Sequence, residues 1–179
     1  MMKYFLIETD DKNRIPYGIN KNRAIDIRLL SREKFNTLPL WNVVEMNLPE
    51  EGFFPDIICS PFILLSEDCI KTVMMYQEDI SYKGIKLWDR ESGENATYFL
   101  TILEELECIS DKTQYYSVGN RILKLVLDEE KIRENAVFKV KGLASNSFVG
   151  RLDFIESILR RDIRGIRLTE IEVSRNVER

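Results

Sequence analysis

Histidine is absent from this sequence of 179 residues. Histidine is the commonest general base and the commonest metal ligand in proteins, and it is the middle member of Ser–His–Asp and Cys–His catalytic arrangements. Its absence therefore excludes the many hydrolases that activate a serine or a cysteine through an imidazole. It also excludes metal sites that are built on imidazole nitrogen.

Cysteine is scarce, with only Cys59, Cys69 and Cys108 in the chain. No two of them have CxxC spacing and their number is odd, so the sequence indicates neither a zinc site nor a disulfide framework. Each lies among apolar neighbours, which is typical of a small core residue and not of an activated thiolate. We therefore expect a protein of the reducing cytoplasm that binds no metal and no cofactor.

Long apolar runs are also missing. The stretch PDIICSPFILL (residues 55–65) contains a charge and two prolines, and it is far shorter than the roughly 20 apolar residues that a membrane-spanning helix needs. The first residues, MMKYFLIETDDKNR, lack the small-residue cleavage site that follows the apolar region of a signal peptide. We expect no membrane partner.

The composition that is present, 44% hydrophobic and 31% charged residues, is that of a globular protein. The length suits one domain of ordinary size. We predict a single α+β domain over residues 1–173 and a polar tail over residues 174–179. The domain should hold a mostly antiparallel or mixed sheet and two main helices. The predicted strands cover residues 3–9, 23–30, 41–46, 56–65, 84–88, 98–103, 122–127, 136–140 and 165–173, and the main helices follow Ser66 and Ser147.

Two similar strings, KGIKL and RGIRL, raise the question of whether they bind a phosphate or mark a repeated unit of structure. Ser66 and Ser147 lie 81 positions apart, and so do Gly84 and Gly165 within the two strings. A phosphate-binding loop places several glycines between a strand and the start of a helix, which is the reverse order. We therefore predict an internal repeat made of a serine-capped helix, a glycine turn and a strand.

The net charge of −4 is unevenly distributed along the chain. Residues 45–111 contain fifteen acids and four bases, a net charge of −11, whereas residues 1–44 carry +3 and residues 112–179 carry +4. A concentrated negative field speeds the encounter with a basic protein and repels nucleic acid. The alternative is that these acids lie on solvated faces and only keep the protein soluble. We expect a protein partner and no nucleic acid.

Five acids are candidate partner-binding residues, and no residue is a candidate catalytic residue. The five are Glu50, Glu51, Asp56, Glu104 and Glu105. The spacing of carboxylates along a chain says nothing about a catalytic pair in space. The string RRDIRGIRL clusters four arginines, but acids are interleaved and no aromatic residue offers a stacking platform for a nucleobase, so the string gives little reason to expect nucleic-acid binding.

The strings FFPDII, ILLSED, GIKLWD, YFLTI, VFKVKG and RGIRL follow one another between Phe53 and Leu168. In order and spacing they resemble a family of bacterial immunity proteins from polymorphic toxin systems, the eleventh in the numbered immunity series, with a founding domain of myxobacterial type. The resemblance implies a cytoplasmic protein that binds and neutralises a cognate toxin domain without chemistry of its own. An acidic surface would suit a basic toxin such as a nuclease.

Two functions of other classes remain open. One is a small hydrolase or transferase that works through carboxylates, which would show converging carboxylates with perturbed ionisation in a deep pocket. The other is a scaffold or adaptor subunit. A terminal strand left at a sheet edge would also allow a homo-oligomer to form.

Overall fold

A computed structural model describes residues 2–175 of the chain. Within these residues the strands are β1 (Tyr4–Thr9), β2 (Trp41–Met46), β3 (Ile57–Ile58), β4 (Leu64–Leu65), β5 (Tyr82–Asp89), β6 (Asn95–Thr101), β7 (Glu105–Leu106), β8 (Gln114–Tyr115), β9 (Ile122–Lys124), β10 (Val126–Asp128), β11 (Val137–Val140), β12 (Phe148–Arg151) and β13 (Ile166–Ser174). The α-helices are α1 (Glu67–Met74), α2 (Glu129–Ile132) and α3 (Leu152–Leu159).

Six strands form a curved sheet in the order β10-β13-β1-β12-β11-β7. Strand β1 lies between β13 and β12 and is antiparallel to both. The chain that follows β7 reaches β10 at the other end of this sheet. There the Asp128 N–H donates to the Cys108 carbonyl oxygen (2.9 Å) and the Ser110 N–H to the Val126 carbonyl oxygen (2.9 Å). Because the two ends of the sheet are thereby joined, we call this unit the barrel.

The barrel encloses a hydrophobic core of its own. The buried residues of this core are Tyr4, Cys108, Leu127, Ile132, Phe138, Val140, Val149 and Ile171. Helix α2 contributes Ile132, whose carbonyl oxygen accepts a hydrogen bond from the Tyr4 hydroxyl (3.2 Å). The Asp128 carboxylate accepts the Glu130 N–H (3.2 Å) and so caps α2. The charged segment at residues 128–135 therefore contains a short capped helix.

The other large sheet has five strands in the order β2-β5-β6-β4-β3, with β2 parallel to β5 and the remaining pairs antiparallel. One of its faces packs on buried side chains of a loop segment that contains two 3₁₀ turns, at Ile27–Leu29 and Phe35–Thr37. The strand predicted over residues 23–30 is wrong. The Asp26 carboxylate accepts the Arg28 N–H (3.0 Å), and this local bond favours a turn over an extended strand.

Helices α1 and α3 lie between the barrel and the five-stranded sheet. The core around them includes Ile7 and Phe148 from the barrel and Ile57 and Leu65 from the sheet. The Tyr76 hydroxyl, just beyond α1, lies 3.0 Å from the Asp153 carbonyl oxygen and 2.6 Å from the Ser157 hydroxyl oxygen, both in α3. This shared core makes one α+β domain, which confirms the predicted fold class, although the strands divide into two main sheets and the small β8–β9 pair.

The two serines of the predicted repeat do different things. Ser66 caps α1, because its hydroxyl accepts the Cys69 N–H (3.4 Å). Ser147 is buried ahead of β12, and α3 begins only after that strand, at an Arg151 N-cap that makes no side-chain capping bond. The second predicted cap is therefore wrong. The apolar spacing that suggested a longer helix includes Phe148, which is instead paired with Ile7 in the barrel.

The two glycines also differ. Gly165 has a φ of +76° and makes the turn into β13, as predicted. Gly84 lies inside β5, between Trp41 of β2 and Phe99 of β6, so the turn predicted there is wrong. The repeat of helix, glycine and strand holds in order, while the two glycines serve different purposes.

The boundary predicted after residue 173 cuts the last residue from β13. Ser174 is buried, and its hydroxyl lies 2.8 Å from the Ser110 hydroxyl, so it belongs to the folded domain. Residues 176–179 of the predicted polar tail lie outside the described residues.

Candidate functional site

One face of the five-stranded sheet is covered by α1 over β4 and β6 but is exposed over β2 and β5. Side chains alternate along a strand. Val44, Ile85 and Leu87 of β2 and β5 point to the opposite face, into the core that the loop segment covers. The intervening side chains therefore point outward. We call this surface the outer face and define it by Trp41, Val43, Glu45, Tyr82, Lys86, Trp88, Asn95, Thr97 and Phe99.

Aromatic rings dominate the outer face. The exposed fraction is 61% for Trp41, 55% for Val43 and 44% for Tyr82. Trp88 lies on the same face and is half-buried, so both tryptophans of the chain are here. Large exposed apolar residues scattered singly need no explanation, but a contiguous set is typical of a surface that contacts another molecule.

The rings are held in place by the strand register. Trp41, Gly84 and Phe99 are direct neighbours across three strands, and a Cβ added at Gly84 would overlap the Trp41 indole. The glycine thus lets the indole lie flat on the sheet. The Trp41 and Phe99 ring centroids are 6.2 Å apart, and the Tyr82 ring meets Phe99 edge to face at 5.6 Å. These contacts fix three rings without burying them.

Acids lie at one end of the outer face, where the hairpin between β5 and β6 carries Glu91 and Glu94. The loop that carries Glu50 and Glu51 leaves β2 at the same end, because the Leu48 N–H donates to the Asp89 carboxylate (2.9 Å). Both Glu50 and Glu51 are exposed. The only ion pair of this loop joins Glu51 to Arg14 (3.6 Å) among the described residues, and a pair that exposed contributes little stability.

More acids lie at the other end of the outer face. The segment between α1 and β5 carries the exposed Glu78 and Asp79. Within residues 2–175, neither of these pairs with a base, and neither do Glu91 and Glu94. We call these four acids the acidic rim.

The remaining predicted acids are placed differently. Glu104 and Glu105 are exposed and follow the Thr101 end of β6, which is about 20 Å from the hairpin end for six residues of strand. Asp56 is tied to the backbone, since its carboxylate accepts the Arg164 N–H (2.7 Å). The five predicted residues therefore do not form one cluster. Glu50 with Glu51 and Glu104 with Glu105 lie at opposite ends of the five-stranded sheet, and Asp56 has a structural role.

Strand β2 is at an edge of its sheet, but that edge is partly occupied. The Asn22 side chain donates to the Val43 carbonyl oxygen (3.3 Å) and accepts the Glu45 N–H (3.2 Å), while the Asn20 N–H donates to the Glu45 carbonyl oxygen (2.9 Å). Groups that would pair with an incoming strand are thus already bonded. The outer face, and not the edge of β2, is the accessible part of this strand.

The three cysteines are buried thiols, as predicted. Burial raises the pKa of Cys59 to about 11 and that of Cys108 to about 11, and it raises the pKa of Cys69 further still. A thiol is nucleophilic only as the thiolate, so these groups are inert near neutral pH. No group of three or more histidine, cysteine or acidic side chains within residues 2–175 is placed to hold a metal ion.

Five carboxyl groups in the described part of the chain have a clearly shifted pKa, and each is lowered. They are Asp26, Asp89, Glu107, Glu129 and Asp153. The cause is a hydrogen bond from a nearby base in four cases and from backbone N–H groups, first that of Leu48, for Asp89. A carboxyl that acts as a general acid near neutral pH has a raised pKa instead. These five shifts therefore indicate structural pairing.

The arginine cluster near the end of the chain is largely occupied. Arg167 pairs with Glu8 (3.2 Å) and Asp11 (3.0 Å), and Arg161 donates to the Ser157 carbonyl oxygen (2.8 Å). Arg160 also pairs with Glu156 (3.9 Å), so two of the four arginines in the cluster are paired with acids. None of the three described helices is long and apolar enough to cross a membrane.

No known protein-family model matches this chain, and no curated protein matches it. The residues of this candidate site that the sequence did not single out are Trp41, Val43, Tyr82 and Trp88. The signal that could have identified them is the alternation in WNVVEM and YKGIKLWD, which puts apolar or aromatic side chains on both faces of β2 and β5.

Proposed function

We propose that this protein is a non-enzymatic immunity protein that binds a cognate bacterial toxin domain in the cytoplasm and neutralises it. The observation that carries the proposal is the outer face, on which exposed aromatic side chains are held on a paired sheet. Tryptophan and tyrosine are the residues that most often contribute a large share of binding energy in protein interfaces. Their rings also lose little conformational entropy on binding when they are already fixed.

The sequence resemblance points to the same class of function. The order of the landmark strings from Phe53 to Leu168 resembles that of the immunity-protein family, and the −11 net charge of residues 45–111 suits a basic target. An inhibitor of this kind requires a stable scaffold and a complementary surface and needs no cofactor. The outer face and its acidic rim supply such a surface.

Within residues 2–175, every carboxyl group with a clearly shifted pKa is shifted downward, whereas the general acid of a carboxylate-dependent hydrolase or transferase needs a raised pKa. An open depression of about 380 Å³ beside the β8–β9 hairpin is lined by Tyr116, Ser117, Val118 and Arg121, and it contains no carboxylate. An adaptor would use the same outer face, because it too must bind a protein. Neutralisation of a toxin distinguishes the inhibitor from the adaptor.

The first test is whether a gene for a secreted multidomain protein lies beside this one, as the proposal predicts; the second test uses the carboxy-terminal domain of that protein. Co-expression of the two should restore growth of a host that the domain alone arrests, and the two should elute as one complex. In vitro, the toxin activity should fall linearly and vanish at one equivalent of this protein. Loss of toxin activity at trace amounts would indicate an enzyme, and a complex without rescue would indicate an adaptor.

A further inference from the structure

We propose that the outer face is the docking surface for a basic domain, with the exposed rings at the centre of the contact and the acidic rim at its two ends. This inference rests on the proposed function and adds to it the surface and the chemistry of the partner. Trp41, Val43 and Tyr82 supply the apolar centre. The acids of the rim make no ion pair with a base of the described chain, and the one base in the β5–β6 hairpin beside them is the exposed Arg90.

The size of the outer face fits the centre of an interface. Three strands about 4.8 Å apart and six residues long cover roughly 10–15 Å by 20 Å. This is about a third of the roughly 800 Å² that each partner buries in a standard interface. Interfaces of that size have an apolar centre that is surrounded by a polar rim. The acidic ends of the outer face are therefore needed to complete the contact.

The charges decide what kind of partner fits. Glu45 lies on the face itself, Glu91 and Glu94 lie at one end, and Glu78 and Asp79 lie at the other. The Lys86 ammonium, the one base on the face, donates to the Thr97 hydroxyl (3.3 Å). A partner that places bases against both ends and an apolar group over the rings matches this arrangement, and the long-range attraction would speed its association.

A second copy of this chain is a poor match for the same surface. A two-fold contact brings a patch against itself, so acids of one rim would face acids of the other copy. Like charges placed opposite one another in an interface oppose binding. The edge of β2 is also partly bonded by Asn20 and Asn22, which disfavours pairing between two copies through that strand.

The test compares Val43→Arg with Val118→Arg. Both valines are exposed, and Val118 lies in the β8–β9 hairpin, so the two variants make the same chemical change on different surfaces. We expect Val43→Arg to weaken binding of the neighbouring gene's carboxy-terminal domain by at least about tenfold, because it places a positive charge against a basic partner within the apolar centre. Val118→Arg should leave the Kd within about twofold of the wild type.

A second pair guards against a folding defect in the first. Tyr82→Ala should weaken binding, whereas Tyr115→Ala, at a similarly exposed tyrosine of β8, should not. The melting temperatures of all four variants report whether each is folded. In a charge test, the double variant Glu91→Lys and Glu94→Lys should lower kon and flatten its dependence on ionic strength. The matched double variant Glu130→Lys and Glu134→Lys, at exposed acids in and after α2, should not.

The outcomes separate the two proposals. Failure of the wild-type protein to bind or neutralise the domain overturns the proposed function and this inference with it. Wild-type binding that Val43→Arg and Tyr82→Ala leave unchanged overturns the docking surface alone. Sedimentation velocity tests whether a second copy of this chain binds the outer face instead. If the wild-type protein is a dimer and Val43→Arg dissociates it, the outer face is a dimer interface and the basic partner is refuted.

Discussion

Alanine substitution should reduce the free energy of unfolding much more at Gly165 of the RGIRL string than at Gly84 of the KGIKL string. At Gly84 the new methyl group overlaps the Trp41 indole, which is 61% exposed, so the indole can turn out toward solvent if it gives up its contact with Phe99. The lost ring contact costs about 0.5–1.5 kcal/mol. Removing a glycine from a strand interior returns about 0.5–1 kcal/mol. The free energy of unfolding should therefore change by less than about 1 kcal/mol.

At Gly165 an alanine meets two unfavourable effects, a strained backbone conformation and an overlap with a neighbouring residue, and the structure can relieve neither. The residue has a φ of +76°, which costs an alanine about 1–2 kcal/mol. The new methyl group also overlaps Pro55, whose Cα lies 3.0 Å away and whose ring cannot rotate aside. Overpacking of this kind costs about 1–3 kcal/mol, so the total should be about 2–4 kcal/mol after the entropy gain in the unfolded chain.

Urea denaturation followed by circular dichroism measures both free energies of unfolding. Tryptophan emission in a Trp88→Phe background then reports on Trp41 alone, and Gly84→Ala should shift that emission as the indole leaves Phe99. Equal losses of stability in the two glycine variants would refute the reasoning. So would an unchanged Trp41 emission in Gly84→Ala, because the indole could not then be lying on that glycine.

Three further predictions concern the folded domain. Tyr76→Phe keeps the ring but removes the hydroxyl that joins α1 to α3, so it should lower the free energy of unfolding by about 1 kcal/mol in a urea titration. The control is Tyr82→Phe, because the Tyr82 hydroxyl makes no hydrogen bond within residues 2–175. It should cost less than about 0.5 kcal/mol. A thiol reagent at pH 7.5 should label none of the three cysteines in the native protein and all of them in denaturant; rapid native labelling of Cys59 would contradict its raised pKa. The lowered pKa of Asp89 means that its stabilisation is full above the unfolded pKa and is lost as the pH falls through the folded pKa. Asp89→Asn should therefore lower Tm at neutral pH and reduce the further loss as the pH falls below about 4, with Asp79→Asn as the exposed control.

The sequence predicted best those elements that depend on local contacts. The strand at Trp41–Met46, the cap at Ser66 and the turn at Gly165 are where the pattern put them, because alternation, a capping side chain and a glycine conformation act within a few residues. The strand predicted at residues 23–30 failed because a single aspartate bond outweighed the alternation.

The errors in the second half of the repeat have a nonlocal cause. Phe148 has helical spacing with the residues that follow it, but its backbone is paired with Ile7, which lies near the other end of the chain. A window of local sequence does not contain that partner. The role of Gly84 was missed for the same reason, since the indole that needs its space comes from the neighbouring strand β2.

The sequence predicted the negative charge of the region that contains the candidate site, but not how its residues are arranged in space. Counting acids identified residues 45–111, yet the count could not show that Asp56 is bonded to Arg164 or that the two glutamate pairs lie at opposite ends of the sheet. Those facts depend on how the strands are arranged in space. The aromatic residues of β2 and β5 were not singled out, because hydrophobicity alone does not say which face of a strand is covered.

The central position of β1 has a consequence for biosynthesis. This strand is made before both of the strands that flank it, and these follow by well over a hundred residues. The five-stranded sheet can be assembled from residues 41–101 while β1 still has two vacant sides. Late pairing between distant segments is slow and exposes strand edges to other nascent chains. The slowest folding step should therefore be completion of the barrel. A chain interrupted before β13 would expose an unpaired, aggregation-prone edge of β1 to its neighbours.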